Sequence, residues 1–173
     1  MDDSFAVMII VTTIASGIRL ATPFLLASLG EALGQRSGVL NLGVDGVMLL
    51  GAFSAYYAVL QTGNLYLGLL ISITLGLLVG GFYAFITLKL RAEQGVSGIG
   101  IYLFGLGMSD LLFQKLVGTP KPIFPFMPVH IPVLSELPIV GEMFFQHSII
   151  VYIAFALVPV MGFILHQTTY GLN

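Results

Sequence analysis

Apolar runs long enough to cross a bilayer dominate this chain. A helical span needs about 20 mostly apolar residues, and Val39–Leu60, Leu65–Leu88, Val96–Val117 and Ser148–Leu165 each supply one. A fifth run, Phe5–Leu33, is apolar as far as Ile18, meets Arg19, and then carries Thr22-Pro23. Thr suits an N-cap and Pro suits the first helical position. This run therefore reads either as one kinked span or as a short helix followed by a half-helix. Charge is too scarce to clothe a water-soluble globule: 8% of the 173 residues are charged, against about 25% in a typical soluble domain. With 57% hydrophobic residues and mean hydropathy +1.03, the expected architecture is all-α. It is a polytopic transmembrane helical bundle of about five membrane segments, forming a single transmembrane domain over residues 1–173.

The same composition removes several chemistries. The net charge of −2 comes from a few small clusters and not from one face, so there is no basic patch of the kind nucleic acid requires. There is no Cys, so disulfides and thiolate metal sites are excluded. No GxxxxGK[ST] or HExxH pattern occurs, and three scattered His make no metal cluster. No catalytic residue, cofactor or metal is therefore expected. The N-terminus, MDDSFAV, is acidic where a signal peptide would be basic, so residues 5 onward read as mature membrane structure.

Short-loop charge sets an orientation. Arg36, and Lys89 with Arg91 and Glu93, flank spans on one side, and Lys and Arg near span ends favour the cytoplasm. Alternation then puts Gln61–Asn64 and 118–147 outside, with Lys115 and Lys121 running against the bias. The acidic N-terminus lies outside if the first segment crosses once. Residues 118–147 form a Pro-rich extracytoplasmic loop containing Pro120, Pro122, Pro125, Pro128, Pro132 and Pro138. Pro removes a donor and fixes φ, so an extended cap is expected, serving either as a docking place for a partner or as a plain cover. Ser72, Gly76, Gly80 and Ala84 recur every fourth residue, a small-residue stripe suited to close helix packing.

Ionisable groups at membrane depth cost about 2.5–3.5 kcal/mol on insertion scales, which makes each one a functional hypothesis. Asn41 and Asp45 are four apart in the span Val39–Leu60, so they are expected to share one helix face. Asp45 then lies about 9 Å beyond Val39. Gly38, Gly43 and Gly46 surround the pair, a density that suits a broken or unwound helix. The pair reads as a polar element of a translocation path, with an interhelical hydrogen-bond clamp as the competing reading. Arg19 and Asp110 form a candidate intramembrane ion pair. Gln94–Gly100, QGVSGIG, contains Gly95-Val96-Ser97-Gly98, which resembles the GxSG of rhomboid-type intramembrane serine proteases. No His has the setting expected of its base, and a tight helix start with Ser97 beside a path or packing seam is the alternative.

Three blocks resemble a known family. ATPFLLASLGEALGQRSGVLNLGVDGVMLLGAF (21–53), AEQGVSGIGIYLFGLG (92–107) and TTYGLN (168–173) resemble permease subunits of bacterial ABC importers. The type is that of nucleosides and simple sugars, related to the ribose and branched-chain amino-acid permeases. The resemblance implies a multi-pass protein of the cytoplasmic (inner) membrane that works with separate ABC ATPase subunits. It also implies a second permease subunit, identical or not, and an extracytoplasmic solute-binding protein. Asn41, Asp45, Gln94 and Ser97 are the implied path or gate residues, whereas Asp110 departs from the family pattern. Such permeases continue past this point with a coupling helix, so the chain is expected to be an N-terminal portion, a split subunit or a non-transporting fragment acting in membrane assembly.

Overall fold

The computed structural model describes residues 3–130, 135 and 139–168. Along the chain run α1 (Asp3–Arg36), α2 (Val44–Thr62), α3 (Leu65–Ala84, continued by a wider π turn, Phe85–Lys89) and α4 (Gln94–Leu116). Then come β1 (Pro128–His130), α5 (Val140–Phe144), β2 (Gln146–Ser148) and α6 (Ile149–Gln167). Among the described residues five helices are long and apolar enough to cross a membrane: Phe5–Arg36, Val44–Thr62, Leu65–Lys89, Gln94–Leu116 and Ile149–Gln167. The fold is thus an all-α, multi-pass bundle. The chain divides into two compact units, Glu31–Pro125 and the pair of segments Met1–Gly30 and Phe126–Asn173.

In Glu31–Pro125 the packing rests on glycine. Lipid gives apolar side chains no reason to prefer each other, so spans associate where small residues let backbones approach. α2 and α4 run parallel and touch at two levels. A Cβ on Gly43 would meet Gly98 O at 2.8 Å, and one on Gly46 would meet Tyr102 Cα at 2.7 Å. A Cβ on Gly105 would strike the backbone of Gly46 in turn. α3 lies antiparallel to α2, with Gly68 against Ala55 and Val59, and Gly51 against the Ser72 hydroxyl. Of the Ser72 stripe, this first member meets α2, whereas Gly76 and Gly80 look onto open space. The α2–α3 turn is tight because Gly63 takes φ 69° and Asn64 caps α3, its Oδ1 accepting from Tyr66 N–H at 2.9 Å.

In the other unit, α1 is one continuous helix with Pro23 in its interior, so no restart occurs at Thr22. The Thr22 hydroxyl donates to Ile18 O at 2.8 Å, bonding back along the helix and not forward as a cap. Val11, Ala15 and Thr22 are its buried positions. β1 and β2 pair antiparallel, Val129 opposite His147. His147 is buried, its Nε2 2.8 Å from Met143 O and its Nδ1 without a partner. The Pro-rich loop is not wholly extended. α5 makes one helical turn after the last Pro of the run, where backbone donors are available again. Pro132 and Pro138 lie outside the described residues, as does the family-like tail beyond Thr168.

Candidate functional site

The polar residues of interest gather where α1 gives way to α2. Gly38 takes φ 81°, a left-handed conformation that suits Gly, and ends α1. Val39 N–H reaches back to Gly34 O at 2.9 Å and Gly38 N–H to Gln35 O at 3.0 Å, the paired bonds of a Schellman stop. The chain then runs irregularly from Ser37 to Gly43 before α2 begins at Val44. This corrects the expectation that Asn41 and Asp45 share a helix face. Asn41 lies in the linker, where its Oδ1 accepts from Gly43 N–H at 2.9 Å. That Asx-type turn, closed two residues on at Gly43, competes with helix.

A linker without helical structure must satisfy its backbone by other means, and three side chains from other elements do so here. Gln94, the first residue of α4, uses both ends of its amide. Its Oε1 accepts from Leu40 N–H at 2.9 Å and its Nε2 donates to Gly38 O at 3.2 Å. The Tyr83 hydroxyl, from the end of α3, donates to Leu40 O and lies 3.2 Å from Gln94 O. Glu31 Oε1 accepts from Asn41 N–H at 3.0 Å and from Gln35 Nε2 at 3.1 Å. The start of α4 is fixed in its turn by Glu93, whose carboxylate accepts from Gly95 N–H at 2.9 Å and Val96 N–H at 2.5 Å. These two backbone bonds hold the Glu93 carboxyl below the usual carboxylate range.

Asn41 and Gln94 are thus brought onto one linker. Asp45 is exposed in the first turn of α2, and Ser97 is half-buried in the first turn of α4. Arg19 and Asp110 each bond within their own helix. Arg19 Nη2 donates to Ser16 Oγ at 3.2 Å, and Asp110 Oδ2 accepts from Gln114 Nε2 at 2.8 Å. Sequence reading missed Glu31, Tyr83 and Glu93. Only Glu93 carried a signal, as an acceptor immediately before an apolar helical run. Among the described residues no group of three or more His, Cys, Asp or Glu could hold a metal.

Five spans, glycine-mediated crossings and polar side chains collected at helix breaks define a multi-pass membrane component of the transporter type. Residues 13–173 match the family described as branched-chain amino acid transport system / permease component, and the chain belongs to that family. Relatives carry related names. One, from Haloferax volcanii, is provisionally named a glucose ABC transporter permease; it is 37% identical over 90% of this chain and 48% of its own length. The guanosine ABC transporter permease of Bacillus subtilis is 34% identical over 88% of this chain and 51% of its own. The nucleoside ABC transporter permease of Lactococcus lactis subsp. cremoris is 28% identical over 92% and 53%. The chain therefore spans about half the length of the curated relatives it matches. No solved structure matches it.

Proposed function

We propose that this chain is the membrane-spanning component of an ATP-driven importer for nucleosides or simple sugars, forming part of the translocation path without being a catalyst itself. The observation that carries the reading is the family match over residues 13–173, joined to relatives named for glucose, guanosine and nucleosides. Those names share a neutral, hydroxyl-rich solute. A sparsely charged path with hydrogen-bonding side chains at helix breaks suits such a solute better than an ionic one. Separate ATPase subunits, a second permease subunit and an extracytoplasmic solute-binding protein complete the machine in the cytoplasmic membrane. Asn41, Asp45, Gln94 and Ser97 are the path or gate candidates.

Deletion of the gene is the direct test. Uptake of tritiated guanosine, adenosine and glucose is measured in the deletion strain and after plasmid restoration. Loss of one solute class with recovery on restoration supports the assignment. Unchanged uptake of every solute, with no second system transcribed, overturns it. An affinity-tagged copy should also carry an ATPase subunit through purification.

A further inference from the structure

We infer that the Pro-rich run after α4, Gly118–Pro125, lies in lipid at the membrane interface with Phe124 inserted among the acyl chains, and does not stand in water as a docking loop. The geometry of one tyrosine carries this. The Tyr56 hydroxyl accepts from Lys121 N–H and donates to Lys121 O, both at 2.8 Å, gripping that residue's backbone. The Tyr56 ring leans on Phe113, centroids 6.1 Å apart. Tyr56 precedes the end of α2, Thr62, by more than a turn and a half, or about 9 Å along the axis. Helical side chains also lean toward the N-terminus, which sets the grip deeper still. Phe113 is likewise nearly a turn inside the end of α4. The ribbon is therefore tied alongside the shafts of two spans, below their ends.

Its chemistry fits that depth. Extended backbone is kept out of the hydrocarbon core by its unsatisfied N–H and C=O groups, so a run this irregular belongs at the interface. Here Pro120, Pro122 and Pro125 have no N–H. Gly118 N–H bonds to Phe113 O, Thr119 N–H to Val117 O, and Lys121 N–H to Tyr56. Ile123 and Phe124 keep donors, and the run keeps carbonyl oxygens, to be met by water or headgroups at the boundary. Phe124 is 90% exposed, a cost in water and a gain among acyl chains. The run carries no acidic residue. The exposed Lys121 side chain can lay its stem along lipid and place its ammonium at headgroup level.

The chain contains no Trp, so Phe124→Trp places a single reporter on the ribbon. The full-length variant is reconstituted into phosphatidylcholine vesicles with a minor fraction of phosphatidylglycerol. Lipid insertion gives a blue-shifted emission, strong quenching by lipids brominated high on the acyl chain, and little quenching by aqueous iodide. Phe104→Trp, on the exposed middle of α4, calibrates a span-buried signal and reports folding. Adding Tyr56→Phe to the Phe124→Trp chain releases the grip, and the emission then shifts red and loses bromolipid quenching. An emission at the position of free tryptophan, quenched by iodide and indifferent to bromolipid while Phe104→Trp responds normally, overturns the inference and returns the ribbon to water as a surface for a protein partner.

Discussion

Alanine at Gly105 is expected to push α2 and α4 apart. Its Cβ would sit 2.5 Å from Gly46 C and Cα, and closer still to the Gly46 carbonyl oxygen. Carbon–carbon contacts settle at about 3.5–4.0 Å, so the helices must separate by about 1 Å or tilt by an equivalent amount. The obstacle is backbone, with no rotamer to yield. Overpacking costs about 1–3 kcal/mol, and a shift of whole helices belongs in the upper half of that range. Alanine recovers at most about 1 kcal/mol of helix propensity. The net expectation is a loss of about 1–2 kcal/mol.

Gly107 supplies the control. It lies two residues on in the same helix, with nothing within 4 Å of its would-be Cβ. Alanine there gains the propensity without the clash, so its effect has the opposite sign, a gain of up to about 1 kcal/mol. Unfolding of the purified chain in detergent, followed by circular dichroism across a denaturant series, reads both variants. Gly105→Ala as stable as Gly107→Ala would refute the crossing. The double variant Gly46→Ala/Gly105→Ala sharpens the test. Once one alanine has opened the crossing, the second meets less resistance, so the combined loss is less than additive. Strict additivity would mean that the two glycines do not share a contact.

Tyr83→Phe removes the hydroxyl that reaches Leu40 O. The lost hydrogen bond costs about 0.5–1.5 kcal/mol, so hydrogen–deuterium exchange should accelerate across 39–43 while α2 beyond its first turn stays protected; unchanged exchange would show that Gln94 and Glu31 hold the linker without it. Glu93 gives a pH dependence. Its carboxyl is held below the ordinary range by the Val96 and Gly95 N–H groups, so its capping contribution is complete above the ordinary carboxylate value and disappears as pH falls through the lowered one. Exchange at Gly95 and Val96, corrected for intrinsic rates, should rise only in that acid window, and Glu93→Gln should flatten the profile. A rise near neutrality would count against the cap.

The spans were legible because lipid imposes one requirement, length of apolar run, and periodicity hardly matters where every face is apolar. Leu65–Leu88 and Ser148–Leu165 sit within a residue or two of the observed helices for that reason. The span read as starting at Val39 failed for a physical reason as well. Composition there is apolar enough to continue, but Gly38 in the left-handed region and the Asn41 turn end one helix and delay the next until Val44. Glycine density announced the break without locating it. The partners of the break were out of reach, because Tyr83 and Gln94 lie about 40 and 55 residues downstream of the backbone they serve. Likewise the α2 glycines were visible, but their pairing with Gly98 and Gly105 depends on a parallel crossing that no local pattern encodes.

That crossing also separates the four path candidates by what each has left to offer a solute. Gln94 spends both its acceptor and a donor on the linker backbone, and Asn41 spends its acceptor on Gly43. Turning Gln94 toward a passing hydroxyl would break two bonds, each worth about 0.5–1.5 kcal/mol net, and strand Leu40 N–H and Gly38 O in the process. Asp45 and Ser97 carry no such duty. Asp45 stands exposed in the first turn of α2, where the helix dipole favours its charge, and Ser97 is half-buried three residues into α4. The two belong to helix starts in backbone contact, since a Cβ on Gly43 would lie 2.8 Å from Gly98 O. We therefore propose a division of labour in which Glu31, Tyr83 and Gln94 hold the shape of the break. Asp45 and Ser97, on adjoining turns, carry no part of that load.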